Sequence, residues 1–373
     1  MGPHLAGPAK VVVAKIGTSS VTDEDGAIVA GAIEKLCAEV AELRAQGHRV
    51  VVVTSGAIGA GLPALDLGGP RRPRDAVTLQ AVSAVGQSRL MRVYDDALAA
   101  HGLVAGQVLL APLDFVDRRQ YLQARGTLSR LLELGVVPVV NENDAIADDE
   151  IRFGDNDRIA ALVAHLVGAD TLVLLTDTPG LLTADPRLDA DASLIEEIVE
   201  VDHELEAMAG GAGSVRGSGG MSTKVAAAKI ASWSGVRTVI ASAARASVLT
   251  DAVAGVAGVG TVVRPRAQHL GARKLWIAFA VGSRGTIVVD DGARRALLRG
   301  GTSLLAAGVT GAKGHFDADD AVEVAGPDGV VFAKGLVRLD AAGVDEVAGH
   351  RSDELPEGAP GWVIHRDDLV MLP

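Results

Sequence analysis

Two of the eight lysines lie beside glycine-containing turns, where an ammonium group could neutralise a phosphate. Lys15 lies in the apolar run Val11–Ile16, directly before a Gly-Thr-Ser turn. A buried lysine needs an anionic partner or loses its proton, so this position suits a phosphate contact; a lysine reaching out from the sheet edge would give the same pattern. Lys224 ends the segment Ser218–Lys224, whose glycines would let backbone N–H groups approach phosphate oxygens at a helix N-terminus. A flexible loop followed by an ordinary helix cap at Ser222 is the alternative there.

Two clusters of acidic and amide residues are the second chemical feature. Residues 141–144 follow the apolar run Val136–Val140, and residues 154–157 come just before a helical pattern. Turn formation and helix capping explain one such cluster easily and both less well. The clusters therefore predict carboxylates that recognise an ammonium group, with one carboxylate near the lysines.

Two further segments end apolar runs and have both functional and structural interpretations. Ser55 and Gly56 follow the run Arg49–Val53, and free N–H groups at this helix start would suit a carboxylate or phosphate as well as simple capping. Thr176 and Asp177 follow the run Thr171–Leu175, where they would line a nucleotide pocket or merely end the strand.

Apolar runs alternating with helical patterns must position these residues. Runs that are apolar on both faces and separated by helices predict a parallel sheet covered on both sides. Ligands of such sheets bind beyond the carboxyl ends of the strands, which is where the polar segments lie. We predict strands at Val11–Ile16, Arg49–Val53, Val104–Leu110, Val136–Val140, Thr171–Leu175 and Thr238–Ile240, with helices near 79–100, 118–134, 157–167 and 222–234.

The pattern changes near residue 265, and short segments separated by Gly and Asp turns follow. They predict a small β-rich domain with one helix at Ala293–Arg299. We therefore expect two domains, at 8–268 and 275–373. The expected short strands are Thr286–Val289, Ala321–Val324, Val330–Phe332, Gly335–Val337 and Trp362–His365.

Composition excludes several classes of protein. The chain has 373 residues and a net charge of −12, so its field repels nucleic acids and anionic membranes. Its one cysteine excludes an intrachain disulfide framework and a multi-cysteine metal site. No apolar run is long enough to cross a membrane, and the segment before Lys15 lacks the apolar centre of a signal peptide. We therefore expect a cytoplasmic protein without a membrane partner.

Six motifs, in chain order, resemble the amino acid kinase superfamily. They are Lys-Ile-Gly-Thr-Ser at 15–19, Val-Thr-Ser-Gly-Ala-Ile at 53–58, Asn-Glu-Asn-Asp at 141–144, Gly-Asp-Asn-Asp at 154–157, Leu-Thr-Asp at 175–177 and Gly-Gly-Met-Ser-Thr-Lys at 219–224. The tail, with Asp-Gly-Ala at 291–293 and Ser-Leu-Leu at 303–305, resembles a PUA domain. The likeness covers about residues 10–370.

The resemblance implies an α/β fold: an αβα sandwich on a mainly parallel sheet, plus the small β-rich PUA domain. It also implies ATP-dependent phosphorylation of the side-chain carboxylate of L-glutamate, with Mg²⁺ held through the ATP phosphates and not by the protein directly. The implied catalytic residues are Lys15, Lys224 and Asp157, of which Asp157 would hold the two lysines. The implied glutamate-binding residues are Ser55, Asp144 and Asn156. The implied ATP-binding residues are Lys15, Thr176, Asp177, Ser218, Gly219, Gly220, Met221, Ser222, Thr223 and Lys224.

The same resemblance implies partners and leaves rivals open. It implies the first step of proline biosynthesis, inhibition by proline, a homo-oligomer (dimer or tetramer), and hand-over of the acyl phosphate to glutamyl phosphate reductase. The nearest rival is another amino acid kinase, acting on acetylglutamate, aspartate, carbamate or a nucleotide. An RNA-binding protein acting through the PUA domain is a rival of another class, although residues 271–373 carry four more acidic than basic residues.

Overall fold

The computed structural model describes residues 8–69, 72–111, 114–115, 117–146, 156–184, 189, 191–210, 220–267, 269–351, 353–354 and 361–372. The predicted segments Ser218–Gly219 and 154–155 lie outside these residues. The chain divides into two compact units between His269 and Leu270. Each unit has its own sheet.

Eight strands of the first unit, within the part of the chain that the structure describes, form one sheet. They are β1 (Val11–Ile16), β2 (Arg49–Val53), β3 (Ala105–Leu110), β4 (Val137–Glu142), β5 (Thr171–Thr176), β6 (Glu197–Ile198), β7 (Arg237–Ser242) and β8 (Thr261–Val263). Their order is β3-β4-β2-β1-β5-β7-β8-β6. Every neighbouring pair is parallel except β7 and β8. The predicted mainly parallel sheet is confirmed, and its extra short strands at one end are β6 and β8.

Helices connect these strands. They are α1 (Thr18–Val21), α2 (Ala30–Ala45), α3 (Ala57–Gly61), α4 (Ala76–Ala99), α5 (Arg118–Glu133), α6 (Asn156–Leu166), α7 (His203–Ala209), α8 (Met221–Trp233) and α9 (Val248–Ala254). The starts of α4 and α5 follow from sequence, because the side chains of Asp75 and Asp117 accept hydrogen bonds from the first-turn N–H groups of Thr78 and Gln120.

Alternation along the central strand β1 assigns its side chains to two different layers. Val12, Ala14 and Ile16 belong to a core cluster that includes residues of α2, α4 and α9. Lys15 has the opposite parity, and its amine contacts Asp157 of α6 on the other side of the sheet. Helices α6 and α8 pack together in that second layer. The predicted αβα sandwich is therefore confirmed, and Lys15 is the charged residue that its central strand carries into the α6–α8 layer.

The second unit contains a five-stranded sheet of order β10-β9-β11-β12-β13. The pairs are antiparallel except β9 and β11. Its strands and helices are β9 (Gly285–Val289), β10 (Val309–Gly314), β11 (Ala321–Ala325), β12 (Val331–Val337), β13 (Ile364–Met371), α10 (Ala272–Leu275), α11 (Asp291–Leu298) and α12 (Ala341–Val347). The predicted β-rich unit is confirmed.

This unit differs from the sequence prediction in several details. The sequence predicts one helix, whereas α12 (Ala341–Val347) is a further helix, and strand β10 (Val309–Gly314) has no predicted counterpart. The segments Val330–Phe332 and Gly335–Val337 are one strand, β12. Gly335 pairs with Leu369 inside that strand, and a Cβ there would lie 2.6 Å from the Ile364 side chain and 2.8 Å from the Asp368 carbonyl oxygen, so the close approach of β13 requires glycine. The final strand begins at Ile364 and not at Trp362.

The second unit also buries one carboxylate between two arginines. The Asp368 side chain is 4% exposed; its Oδ1 lies 2.5 Å from Arg273 Nε, and its Oδ2 lies 3.3 Å from Arg338 Nη2. Both arginine side chains keep about half of their surface in water, at 54% and 42% exposed. This group ties the strand β13 to α10 and to the residue after β12.

Candidate active site

Polar residues gather where the central strands of the first unit end. Lys15 lies near the carboxyl end of β1, Ser55 follows β2, Glu142 ends β4 and Thr176 ends β5. Because β4, β2, β1 and β5 are parallel neighbours, these ends lie along one edge of the sheet. This is the edge at which α/β sheets bind ligands.

A buried charge cluster lies at this edge. The Lys15 Nζ lies 2.5 Å from Asp157 Oδ1, and the Lys224 Nζ lies 3.1 Å from Asp157 Oδ2. The side chain of Asp157 is fully buried, and those of Lys15 and Lys224 are 5% and 8% exposed. The Thr223 hydroxyl donates to the same Oδ2 at 2.9 Å. Three residues that the sequence singled out separately, from β1, α6 and α8, therefore meet.

Electrostatics keep this aspartate ionised. Burial raises the pKa of Asp157, but the positive charges of Lys15 and Lys224 and their hydrogen bonds outweigh burial and lower that pKa below its usual value. The three side chains then carry a net charge of +1 in a place with little water. An unmatched buried charge is unfavourable, so this cluster favours an anion beside it.

The helix start that carries Lys224 adds to this preference. Gly220 occupies the N-cap of α8 in an extended conformation, and among the described residues no side chain caps the helix. Backbone N–H groups in the first turn of such a helix are donors for an anion. Of the predicted ATP-binding loop, Gly220, Met221, Ser222, Thr223 and Lys224 form this start, whereas Ser218 and Gly219 lie outside the described residues.

A cavity of 710 Å³ holds the predicted amino-acid site. Ser55, Asp144 and Asn156 all line it, together with Arg72 and Gln80, which the sequence analysis did not single out. The volume is in the range of small-molecule sites. The structure therefore brings the three predicted glutamate-binding residues to one cavity at the carboxyl edge of the sheet.

The loop that carries Ser55 is held rigidly. Gly56 has φ +97°, and a Cβ there would lie 2.8 Å from the Val21 side chain. Behind the loop, the buried Tyr94 hydroxyl donates to Thr54 Oγ1 at 2.8 Å. Helix α3 then packs so closely on α4 that a Cβ on Gly86 would lie 1.8 Å from the Ala57 carbonyl oxygen. Helix α4 thus supports this wall of the cavity, a role that no sequence motif announced.

Thr176 and Asp177 are not among the residues that line this cavity. The Thr176 hydroxyl donates to Asp177 Oδ1 at 3.1 Å, and both residues line a second cavity of 330 Å³ with Lys35 and Ala243. The predicted nucleotide-binding residues at the end of β5 therefore line a different cavity from Ser55, which follows β2.

Neither a metal-binding cluster nor a membrane-spanning helix is present among the residues that the structure describes. No three of their His, Cys, Asp or Glu side chains are placed to hold a metal ion together. The carboxylate of Asp157 is engaged by two lysines, so it is a poor metal ligand. Of the helices described, none has the length and apolar character to cross a bilayer.

Comparison with known proteins identifies both units. The model of the amino acid kinase family matches residues 10–242, and that of the PUA domain matches residues 285–358. A glutamate 5-kinase of Geobacter sp. (strain M21) is 46% identical over 377 residues, covering all of both chains. A glutamate 5-kinase of Myxococcus xanthus (strain DK1622) is 47% identical, covering 98% of this chain and 97% of its own.

A solved structure supports the fold. The carbamate kinase from Giardia lamblia bound to AMP-PNP superposes with a TM-score of 0.50 at 19% identity, covering 69% of this chain and 99% of its own. At this identity the likeness concerns the fold alone. The family model and the full-length relatives carry the assignment further. The chain therefore belongs to the amino acid kinase family and, within it, to the glutamate 5-kinases with a C-terminal PUA domain.

Proposed function

We propose that this chain transfers the terminal phosphoryl group of ATP to the side-chain carboxylate of L-glutamate, giving ADP and L-glutamyl 5-phosphate. One P–O bond to ADP breaks, and one P–O bond to the carboxylate forms. The full-length relatives support this reaction. The observation that carries it is the buried Lys15–Asp157–Lys224 cluster at the same strand edge as the cavity of Ser55, Asp144 and Asn156.

The chemistry needs no general base. A side-chain carboxylate is already ionised at pH 7 and is itself the nucleophile. The obstacle is repulsion between this anion and the phosphate chain of ATP. Catalysis then consists of positioning and of positive charge at the transferring group, as for phosphoryl transfer in general. The cluster with a net charge of +1 meets that need.

We assign the charged residues as follows. Lys15 neutralises the transferring phosphoryl group, and Lys224 neutralises charge on the ATP side. Asp157 holds both ammonium groups in place. The N–H groups at the start of α8 bind ATP phosphates, and the loop Ser218–Lys224 belongs to that site. Mg²⁺ bound to ATP would supply further positive charge to the phosphate chain.

The amino-acid end of the substrate has a different environment. We propose that the Asp144 carboxylate binds the substrate ammonium group, while Ser55 and Asn156 donate to its carboxylates. All three side chains line the same cavity. Thr176 and Asp177 are proposed to bind the nucleotide from the end of β5.

Several assignments beyond the reaction are also proposals. They are a kinase domain at 8–268 and a PUA domain at 275–373, inhibition by proline, a homo-oligomer (dimer or tetramer), transfer of the product to glutamyl phosphate reductase, and a cytoplasmic location. The reactivity of an acyl phosphate supports rapid use of the product by a second enzyme. Such a product would otherwise react with water or another nucleophile.

Acyl phosphate formation tests the reaction directly. Hydroxylamine traps the product as a hydroxamate, and L-glutamate, N-acetylglutamate, L-aspartate and bicarbonate with ammonia are compared with ATP and Mg²⁺. We expect signal with L-glutamate and a lower signal when proline is added. Signal only with another acceptor would overturn the substrate, and signal that proline does not lower would overturn the inhibition alone.

A further inference from the structure

A chain of hydrogen bonds runs from helix α4 to the amino-acid cavity. The Asn141 side-chain Nδ2 donates to Gln87 Oε1 at 2.8 Å, and the Glu142 backbone N–H donates to Asn141 Oδ1 at 2.9 Å. The same N–H lies 3.2 Å from Asn156 Oδ1. Glu142 and Asn156 line the cavity, whereas Gln87 lies behind it. The chain links residues 54 positions apart in the sequence.

The direction of every bond in this chain follows from its one unambiguous member. A backbone N–H can only donate, so the Asn141 atom facing Glu142 must be the amide oxygen. The Asn141 nitrogen then faces Gln87, and the Gln87 atom that meets it must be the oxygen. This leaves Gln87 Nε2 buried, with no hydrogen-bond partner among the residues that the structure describes.

Stability of the free protein does not account for this glutamine. Gln87 is 7% exposed, and its buried Nε2 donor costs free energy that apolar side chains of similar shape at both 87 and 141 would avoid. The Gln87 side chain is therefore better explained by what it positions. From α4, Gln87 accepts a hydrogen bond from Asn141 near the end of β4, and the next residue, Glu142, lines the cavity.

We propose that Gln87 is a positioning residue for the amino-acid substrate. It fixes the rotamer of Asn141, whose Oδ1 shares the Glu142 N–H with Asn156 Oδ1, and this shared donor sets the orientation of the Asn156 side chain toward the substrate. This inference rests on the proposed role of Asn156 in binding glutamate. The ATP side of the site has no bond in this chain, so the two substrates should respond differently.

Kinetics of the full-length enzyme test the proposal. We expect Gln87→Met to raise the KM for glutamate about five- to tenfold, the loss of one neutral hydrogen bond, with kcat and the KM for ATP within twofold. Gln123→Met, the same substitution at an exposed glutamine of α5, is the matched control and should change none of these values. An unchanged glutamate KM, or a parallel change in both KM values, would overturn the proposal.

A double variant separates a relay from two independent contacts. Asn141→Leu alone should raise the glutamate KM at least as far as Gln87→Met does. If Gln87 acts through Asn141, the double variant behaves like Asn141→Leu. Multiplication of the two effects would contradict action through Asn141.

Hydrogen exchange gives a measurement that does not depend on the reaction. In the free enzyme, Gln87→Met should speed amide exchange in a peptide containing Glu142 and leave a peptide containing β1 unchanged. Gln87→Glu keeps an oxygen for Asn141 and should exchange like the wild type at Glu142; it is also the second variant should Gln87→Met fold poorly. If the wild type forms no hydroxamate from glutamate, the proposed function fails, while unchanged exchange at Glu142 in Gln87→Met would sink the relay itself.

Discussion

Each unit of the protein buries one aspartate between two cations. Asp157 of the first unit contacts Lys15 and Lys224, and Asp368 of the second unit contacts Arg273 and Arg338. Both carboxylates are nearly inaccessible to water. The two aspartates therefore have the same charge and nearly the same burial.

Their cations differ, and this difference separates the proposed active site from a structural ion-pair cluster. The two lysine side chains are 5% and 8% exposed, whereas the two arginine side chains are 54% and 42% exposed. Water solvates the arginines, so their excess charge costs little. The lysines have no such solvent, and their excess charge is best matched by an anionic ligand. The burial of the two cations, and not the burial of the carboxylate, therefore distinguishes the two clusters.

Loss of a lysine should have the largest effect. We expect Lys15→Ala or Lys224→Ala to lower kcat about 10²–10³-fold, because the first removes a charged contact to the transferring group and the second removes one to the ATP phosphates that it leaves. The KM for glutamate should change far less. Hydroxamate formation under saturating substrates measures this. Near-normal kcat in either variant would contradict its contact with the phosphoryl group, and Lys313→Ala, on strand β10 of the second unit, is the control.

A matched pair of aspartate variants comes next. Asp157→Asn leaves two buried lysines without this counter-charge and should lower the free energy of unfolding by about 3–5 kcal/mol. It should also lower kcat, because the lysines lose the group that holds them. Asp368→Asn leaves arginines that water already solvates, so we expect about 1–2 kcal/mol of stability lost and kcat within twofold. Calorimetric unfolding and the hydroxamate assay check both. Equal losses of kcat would remove the distinction between the two aspartates.

Asp157 should also make the stability of the protein depend on pH in acid. The pKa of Asp157 is lower in the folded than in the unfolded state, so its stabilisation is present above the ordinary aspartate pKa and is lost as pH falls through the folded-state pKa. Asp157→Asn should remove this acid dependence. Unfolding temperatures between pH 3 and pH 6, measured for the wild type and Asp157→Asn, test the sign; identical slopes would argue against the depressed pKa.

A smaller effect is expected at the amino-acid end. Asp144 faces the substrate ammonium group before and during transfer in our proposal, so Asp144→Ala should raise the glutamate KM about 10- to 100-fold and leave kcat within threefold. Asp144→Asn, which keeps the shape, should lie between. A large fall in kcat at unchanged KM would place Asp144 on the phosphoryl side instead.

The smallest effect lies at the opposite edge of the sheet. The buried His48 accepts a hydrogen bond from the Lys10 N–H, and burial and the Lys10 charge lower its pKa against the opposing effect of Asp170. Its stabilisation is therefore present above about pH 6.5 and is lost as pH falls below that value. Between pH 7 and pH 5.5, the fall in unfolding temperature should be a few degrees smaller in His48→Gln than in the wild type. His101→Gln, at an exposed histidine, is the control and should behave like the wild type.

Sequence reasoning predicted most of the strands, the helix layers and most charged residues of the proposed site, because each has a local signature; it missed the strands β6, β8 and β10. A continuous apolar run marks a buried parallel strand, and a lysine inside such a run stands out. Glycines before a helix mark a backbone that can approach phosphate. These signals also predicted that β1, β2, β4 and β5 bring their polar ends to one edge. They did not reveal Gln87, Gly86 or Tyr94, which lie within an ordinary amphipathic helix pattern.

The sequence alone therefore determined the sandwich, the edge that carries the chemistry and the family. Only the tertiary structure decided which atoms meet: the two oxygens of Asp157 each face one lysine, and α4 turns Gln87 toward Asn141 and Tyr94 toward Thr54. The physical reason is that these bonds join residues 40 or more positions apart. Their formation depends on how a helix rotates and how closely it packs, as at Gly86, and no local pattern of residues encodes that rotation.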